Sequence, residues 1–358
     1  MRAKRADYVT GSLPTQGYIS SAFKSPSHGN YNIAMSSQNT QRPFTPPWWL
    51  KNRHLQTLWP TFFRKTPNPN YRREELNLPD GDFIDLDWLH QPRPAKTIAI
   101  LIHGLTGSSS SSYIRGLAVT LYSQGFDVVA MNQRSCSGRP NRLAKTYHSG
   151  LTTDIHNLIK KLRIDRPDSE LVAAGFSLGG NQLLKYLGEQ GSDCELKSAV
   201  AVSVPFSLAD SANTLMRGLA RGYQRHLITG LKQAMETREA RFRPIVDWNA
   251  MRKSTTFWEF DDIATAPING FDGVEDYYQK SSCGPFIRNI RIPTTIFQSS
   301  DDPFVGKKSI PSKNALPDNV DLFLSDFGGH VGFVSGNSPL YPRYFLDQAI
   351  SRRFGQGS

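Results

Sequence analysis

Apolar and polar positions follow two rhythms along this chain. From about residue 72 to residue 206, short runs of aliphatic and β-branched residues alternate with stretches that are apolar at i, i+3 and i+4. REELNL and FIDLDWL flank Pro79-Asp80-Gly81-Asp82, which predicts a β-hairpin. TIAILIHG reads as a buried strand, SSYIRGLAVTLYSQG as a helix ended by Gly125, and FDVVAMNQR as the next strand. TTDIHNLIKKLRIDRP reads as a helix starting near Thr153 or Asp154, with Pro167 beyond its end. ELVAAGFS, LGGNQLLKYLGEQG and KSAVAVSVPF continue as strand, helix and strand. This βαβ alternation predicts an α/β fold with a mostly parallel sheet and helices on both faces.

The rhythm stops between residues 207 and 290, a stretch too long for a plain connection in a compact domain. Residues 208 to 242 look helical, and the remainder is irregular and aromatic. The reading is a mostly helical cap inserted over the active site. The strand rhythm returns with IPTTIFQSS and VDLFLSDF and closes on a helix around Leu340 to Phe354. The expected organisation is a disordered tail over 1–42, core over 43–206, cap over 207–290, and core again over 291–358. The tail is rich in Ser, Gly, Asn and Gln, and Met35 is an alternative start. PPWWLKNRHLQTLWPTFFR bunches its aromatics, which favours packing against the core over stacking on nucleic-acid bases.

Candidate chemistry sits at the strand ends. Gly175-Phe176-Ser177-Leu178-Gly179 is a GxSxG pattern between a strand and a helix, the setting of a nucleophile elbow with Ser177 as nucleophile. The glycines leave the backbone room for a sharp turn, and the helix N-terminus favours a developing oxyanion. His103-Gly104-Leu105 follows TIAILI, so the oxyanion donors are assigned to the backbone N–H groups of Leu105 and Leu178. His103 precedes the Ser, against the order Ser, acid, His, and is read as structural. Ser108 to Ser112 would line the loop and cap the following helix. Of the eight histidines, His330 alone follows a late strand between glycines, in Gly328-Gly329-His330-Val331-Gly332, and it is the expected base. Asp301 and Asp302 follow IPTTIFQSS; Asp302 begins D-x-x-V and is preferred, with Asp301 and then Asp210 as alternatives.

Composition narrows the classes. The chain has 358 residues, 38% hydrophobic, enough for a substantial core. Its net charge of +11 is scattered, which describes a solvated basic surface or a general attraction to anionic surfaces such as lipid headgroups. Cys136, Cys194 and Cys283 form no CxxC, so neither zinc nor a disulfide framework is indicated and a reduced, cytoplasmic setting fits. The longest apolar stretches fall far short of a membrane span, and the MRAKRADYVTG start has no secretory h-region.

From about Phe44 onward the chain resembles the YheT-type esterases, a branch of the α/β-hydrolase superfamily that includes eukaryotic membrane-associated lipid hydrolases. The resemblance rests on WWLKNRHLQTLWP, HGLTGSSSSSYIRGLA, NQRSCSGRPNR, YHSG, GFSLGGN, DDPF and GGHVGF in combination. It implies a serine esterase whose Ser–Asp–His triad falls on Ser177, Asp302 and His330. One departure stands at Asn132-Gln133-Arg134-Ser135-Cys136, where the family usually reads N-F-R-G-C, and it bears on substrate shape near that loop.

The leading expectation is a carboxylic-ester hydrolase with an acyl-enzyme intermediate, acting on a small-molecule or lipid ester, with no metal or organic cofactor. Thioester hydrolysis or acyl transfer would use the same triad. A catalytically silent binding protein fits a complete triad poorly, and no recognised module supports nucleic-acid binding. Peripheral membrane contact is compatible with the charge. Among the cap aromatics, Trp258 is the residue expected to touch substrate.

Overall fold

The computed structural model describes residues 44–355. The expected tail over 1–42 and the alternative start at Met35 lie outside them.

Eight strands form one mixed sheet: β1 (Arg72–Asn77), β2 (Phe83–Leu89), β3 (Thr97–Ile102), β4 (Asp127–Asn132), β5 (Glu170–Phe176), β6 (Ser198–Val202), β7 (Thr294–Ser299) and β8 (Val320–Ser325). Their spatial order is β1-β2-β4-β3-β5-β6-β7-β8. β1 pairs antiparallel with β2, and β2 with β4; every other pairing is parallel. The parallel part needs crossovers, and the helical segments supply them: α2 (Ser112–Ser123), α3 (Thr153–Asp165) and α4 (Leu178–Gln190).

β3 illustrates how alternation builds the layers. Ile98, Ile100 and Ile102 face a core shared with α3 and α4, through residues such as Leu158 and Leu183. Ala99 and Leu101 face a second core with α2 and the C-terminal helix, through Leu117 and Ile350. Each isoleucine or leucine so removed from water contributes about 1.5–3 kcal/mol.

β2 is buried on both faces although it carries Asp85 and Asp87. The NQRSCSGRPNR segment supplies much of the compensation: Arg139 pairs with Asp85, Asn132 donates to Asp87, and Arg73 from β1 pairs with Asp87 at 2.8 Å. Arg134 forks onto Asp154 at 2.7 and 2.8 Å and reaches Asp80 at 2.8 Å. Several basic residues of this segment therefore neutralise buried carboxylates, which a charge count alone does not reveal.

Between β6 and β7 the chain forms α5 (Leu208–Leu215), α6 (Ala220–Glu236), α7 (Glu239–Phe242), α8 (Trp248–Lys253), α9 (Phe257–Phe260), α10 (Ala266–Ile268) and α11 (Val274–Ser281). They share a separate apolar cluster that includes Phe242, Met251, Phe260 and Ala264. The stretch after residue 242, expected to be irregular, is mostly short helices. Its start signals are local: Asp247 accepts from the N–H groups of Asn249 and Ala250, and Thr256 and Glu259 form a capping box.

Two further elements go beyond the sequence pattern. Residues 53–63 form a helix, α1 (Arg53–Phe63), started by Asn52, whose side chain accepts from His54 and Leu55 N–H. The C-terminal helix, α12 (Phe345–Gly355), begins later than Leu340 because β9 (Val334–Ser335) and β10 (Arg343–Tyr344) form a small hairpin first. Pro342, one residue before β10, fits extended chain rather than a helix interior.

Candidate active site

Ser177 stands between β5 and α4 with φ 52° and ψ −118°, a conformation that costs a non-glycine residue about 1–3 kcal/mol. Its N–H is held by the carbonyl of Val202 at 2.8 Å. The two flanking glycines permit the turn by close approach. A Cβ on Gly175 would lie 2.4 Å from the Gly179 carbonyl oxygen, and one on Gly179 would lie 2.5 Å from that of His103.

The loops after β7 and β8 bring two more groups to this point. His330 Nε2 lies 2.9 Å from Ser177 Oγ, and its Nδ1 lies 2.9 Å from Asp302 Oδ2 and 3.1 Å from Oδ1. With the proton on Nδ1, the ring donates to the carboxylate and accepts from the hydroxyl. Asp302 is 3% exposed; Phe304 N–H donates to it at 2.8 Å and Gln298 Nε2 at 3.3 Å. The Phe304 ring stacks on the imidazole with centroids 4.0 Å apart and planes within 8°.

The alternative acids sit elsewhere. Asp301 accepts from Gly329 N–H at 2.9 Å, and burial holds its carboxyl above the usual carboxylate range. Asp210 is packed against Gly306 at the start of α5, and no hydrogen bond joins it to His330.

The loop after β3 carries the expected amide donors. Gly104 N–H donates to Tyr113, Thr106 N–H to Tyr147 and Gly107 N–H to the Gly104 carbonyl. Among the described residues, the N–H groups of Leu105 and Leu178 have no partner, and both residues border the cavity beside Ser177. His103 is buried beneath this loop. Its Nδ1 meets the Gly104 carbonyl at 2.7 Å, and its Nε2 accepts from Gln133 N–H at 3.1 Å. Burial lowers its pKa to about 4, so the ring is neutral at physiological pH. Gln133, which with Ser135 departs from the family pattern, also donates to the His103 carbonyl and accepts from Gln182. It braces the loop from behind and does not line the cavity. The serine run does not cap α2 through Ser111, whose hydroxyl instead accepts from Ser108 N–H.

Ser177 opens into a cavity of about 730 Å³. The insertion lines it with Leu208, Leu215, Leu219, Leu227, Leu231 and Phe257, and YHSG contributes Tyr147, His148 and Ser149. Phe62 and Leu219 border the cavity while remaining 70% and 75% exposed, which places an apolar rim at its mouth. Trp258 does not border it. Its indole donates to Asn213 at 3.0 Å and its ring packs edge-on against Tyr278, so the structure does not bear out the expectation that it faces substrate; its neighbour Phe257 borders the cavity instead.

α1 contributes to the site in a way that the sequence did not suggest. Its backbone packs directly on the His330 loop: a Cβ on Gly332 would lie 2.3 Å from the Gln56 carbonyl oxygen. Thr57 Oγ1 accepts from His330 N–H at 2.9 Å. Gln56, fully buried, donates to the carbonyls of Leu50 and Val334 and accepts from Val334 N–H. The available signal was the pair Gln56-Thr57, polar residues on a buried side of an aromatic segment.

The sheet order, the turn at Ser177 and the insertion after β6 define an α/β hydrolase, and residues 100–336 match the family model described as alpha/beta hydrolase fold. The chain belongs to that family and is an esterase- or lipase-like member of it. It is 38% identical over 311 residues to the Escherichia coli K12 protein named "Putative esterase YheT", covering 86% of this chain and 91% of that one. It is 30% identical over 312 residues to the Homo sapiens protein named Phospholipase ABHD3, covering 84% and 76%. The solved Pyrococcus furiosus esterase Pf2001 superposes with a TM-score of 0.51 at 17% identity, over 82% of this chain and 98% of that one, a likeness of fold. Among the described residues no helix is long and apolar enough to cross a membrane, and no cluster of His, Cys, Asp and Glu is arranged to hold a metal.

Proposed function

We propose that this protein hydrolyses carboxylic esters that carry an apolar chain, with Ser177 as nucleophile, His330 as general base and acid, and Asp302 as the orienting carboxylate. The observation that carries the reading is the hydrogen-bonded series Ser177–His330–Asp302 at the wall of a largely apolar cavity. His330 takes the hydroxyl proton as Ser177 attacks the ester carbonyl, and the tetrahedral oxyanion accepts from the free N–H groups of Leu105 and Leu178. Collapse expels the alcohol, protonated by His330. Water, activated by the same imidazole, then releases the acid. Phe304 covers one face of the ring and keeps it in register with Ser177. The helices between β6 and β7 serve as a cap that excludes water and offers leucine side chains to an acyl chain.

A fluorophosphonate probe and p-nitrophenyl esters of graded chain length, with acylglycerols and acyl-CoA alongside, test this reading. Labelling confined to Ser177, with faster turnover of medium than of two-carbon acyl chains, is the expected result. Labelling that persists in Ser177→Ala would remove the assignment, and turnover of acyl-CoA alone would make the protein a thioesterase.

A further inference from the structure

The cavity that meets Ser177 also has a polar wall that the proposed ester chemistry leaves unused. After α9 the helix widens into one π turn, Asp261–Thr265, closed by Ala266 N–H onto the Asp261 carbonyl. Pro267 follows at once and has no N–H to continue the regular ladder. The wide turn sets Asp261 and Thr265 side by side: Thr265 Oγ1 donates to Asp261 Oδ1 at 2.6 Å, and Tyr278 Oη donates to Oδ2 at 2.8 Å. Asp261, Thr265, Tyr277 and Tyr278 all border the cavity, and Asp261 is only 8% exposed. Ser211, equally buried and bordering the same cavity, has a hydroxyl with no partner among the described residues.

A buried carboxylate normally has a cation beside it. Asp261 forms no ion pair among the described residues, and burial pushes its pKa up to about 6. The nearby His148 packs edge-on against Tyr277, and burial lowers its pKa to about 3, so it supplies no charge. No described residue supplies the missing charge, and the carboxylate borders a cavity that a cation can enter. Two unused acceptor positions on the carboxylate, with Tyr277 and Tyr278 bordering the same cavity, suit a weakly hydrated organic cation.

Resting on the ester-hydrolase reading, we infer that Asp261, Tyr277 and Tyr278 form a subsite for an organic ammonium group carried by the substrate, with Ser211 available to a neighbouring polar atom of the same substrate.

Two measurements decide it. The first compares butyrylcholine with its uncharged isostere 3,3-dimethylbutyl butyrate. The wild type should favour the cationic ester about ten-fold in kcat/KM, and Asp261→Asn should bring the ratio near one. The second is calorimetric binding of hexyltrimethylammonium against hexanol, which needs no turnover: the ammonium should bind about ten-fold more tightly to the wild type than to Asp261→Asn. Equal rates for the two esters, or ammonium binding no tighter than hexanol, overturns the inference while hydrolysis of the neutral ester keeps the ester reading intact. Hydrolysis of neither ester removes that reading, and the calorimetry still decides the subsite. Should Asp261→Asn not fold, the wild type alone still separates the outcomes: ammonium binding tighter than hexanol supports the subsite, and equal binding removes it.

Discussion

The two walls of the cavity are built differently. On the sheet side, the groups assigned to chemistry stand at the ends of β3, β5, β7 and β8, fixed by backbone hydrogen bonds and by glycines with no space for a Cβ. On the helical side, α5, α6 and the short helices after them offer side chains anchored in a core of their own. Bond-making chemistry requires atoms placed to a few tenths of an ångström, whereas an apolar chain requires only a shape of suitable volume. The contrast teaches that a lesion on the sheet side should abolish turnover, while one on the helical side should redistribute it among substrates.

The strongest way to break this division is Ser177→Ala, expected to lower kcat by about 10⁴-fold or more with little change in melting temperature. Residual turnover within ten-fold of wild type would move the chemistry away from the elbow. Next comes Asp302→Asn, expected to cost about 10³- to 10⁴-fold, against about ten-fold for Asp301→Asn, which serves Gly329 N–H and not the imidazole. A reversed ranking in kcat would exchange their roles. Thr57→Val asks to which side α1 belongs. It strands the half-buried His330 N–H, which costs about 1 kcal/mol or more, so kcat should fall about ten-fold at nearly constant KM. A change confined to KM would place α1 with the helical wall. The smallest effect is expected for Trp258→Phe: about 1 kcal/mol of stability from the lost bond to Asn213, with an unchanged chain-length profile. A shifted profile at unchanged stability would return Trp258 to the substrate.

The same division explains what could be read from the sequence. Ser177, His330 and Asp302 stand out as candidates because each follows a strand and sits among residues that a turn demands; the structure brings all three within hydrogen-bonding distance of one another in series. The strand and helix pattern of residues 72–206 is legible because the sheet imposes a period on every segment it buries. The insertion is legible as a mostly helical interruption of the sheet but not helix by helix after residue 242, because its short helices are specified by caps such as Asp247 and Thr256 and by mutual packing. Nor does periodicity tell Phe257, which borders the cavity, from Trp258, which does not. The aromatic segment before β1 packs on the fold as expected, but which of its residues reach the His330 loop was not legible. Its contacts with that loop are made by Gln56 and Thr57, and their partners lie hundreds of residues downstream, where no local pattern points.

That separation has a kinetic consequence. The bond from His330 to Thr57 spans 273 residues, and those between Gln56 and Val334 span 278, so the imidazole is seated by some of the most distant contacts in the chain. The turn carrying Ser177 draws on nearer partners, the end of β3, β5, β6 and the start of α4. Loop-closure entropy favours near contacts over far ones, and pairings of high sequence separation form slowly. During refolding from denaturant, the serine should therefore stand on its turn before the base reaches it. Ester hydrolysis should return later than the far-ultraviolet circular dichroism of the sheet and helices, and Thr57→Val should lengthen that lag. Simultaneous recovery of both signals would mean that α1 and the His330 loop dock during the first collapse.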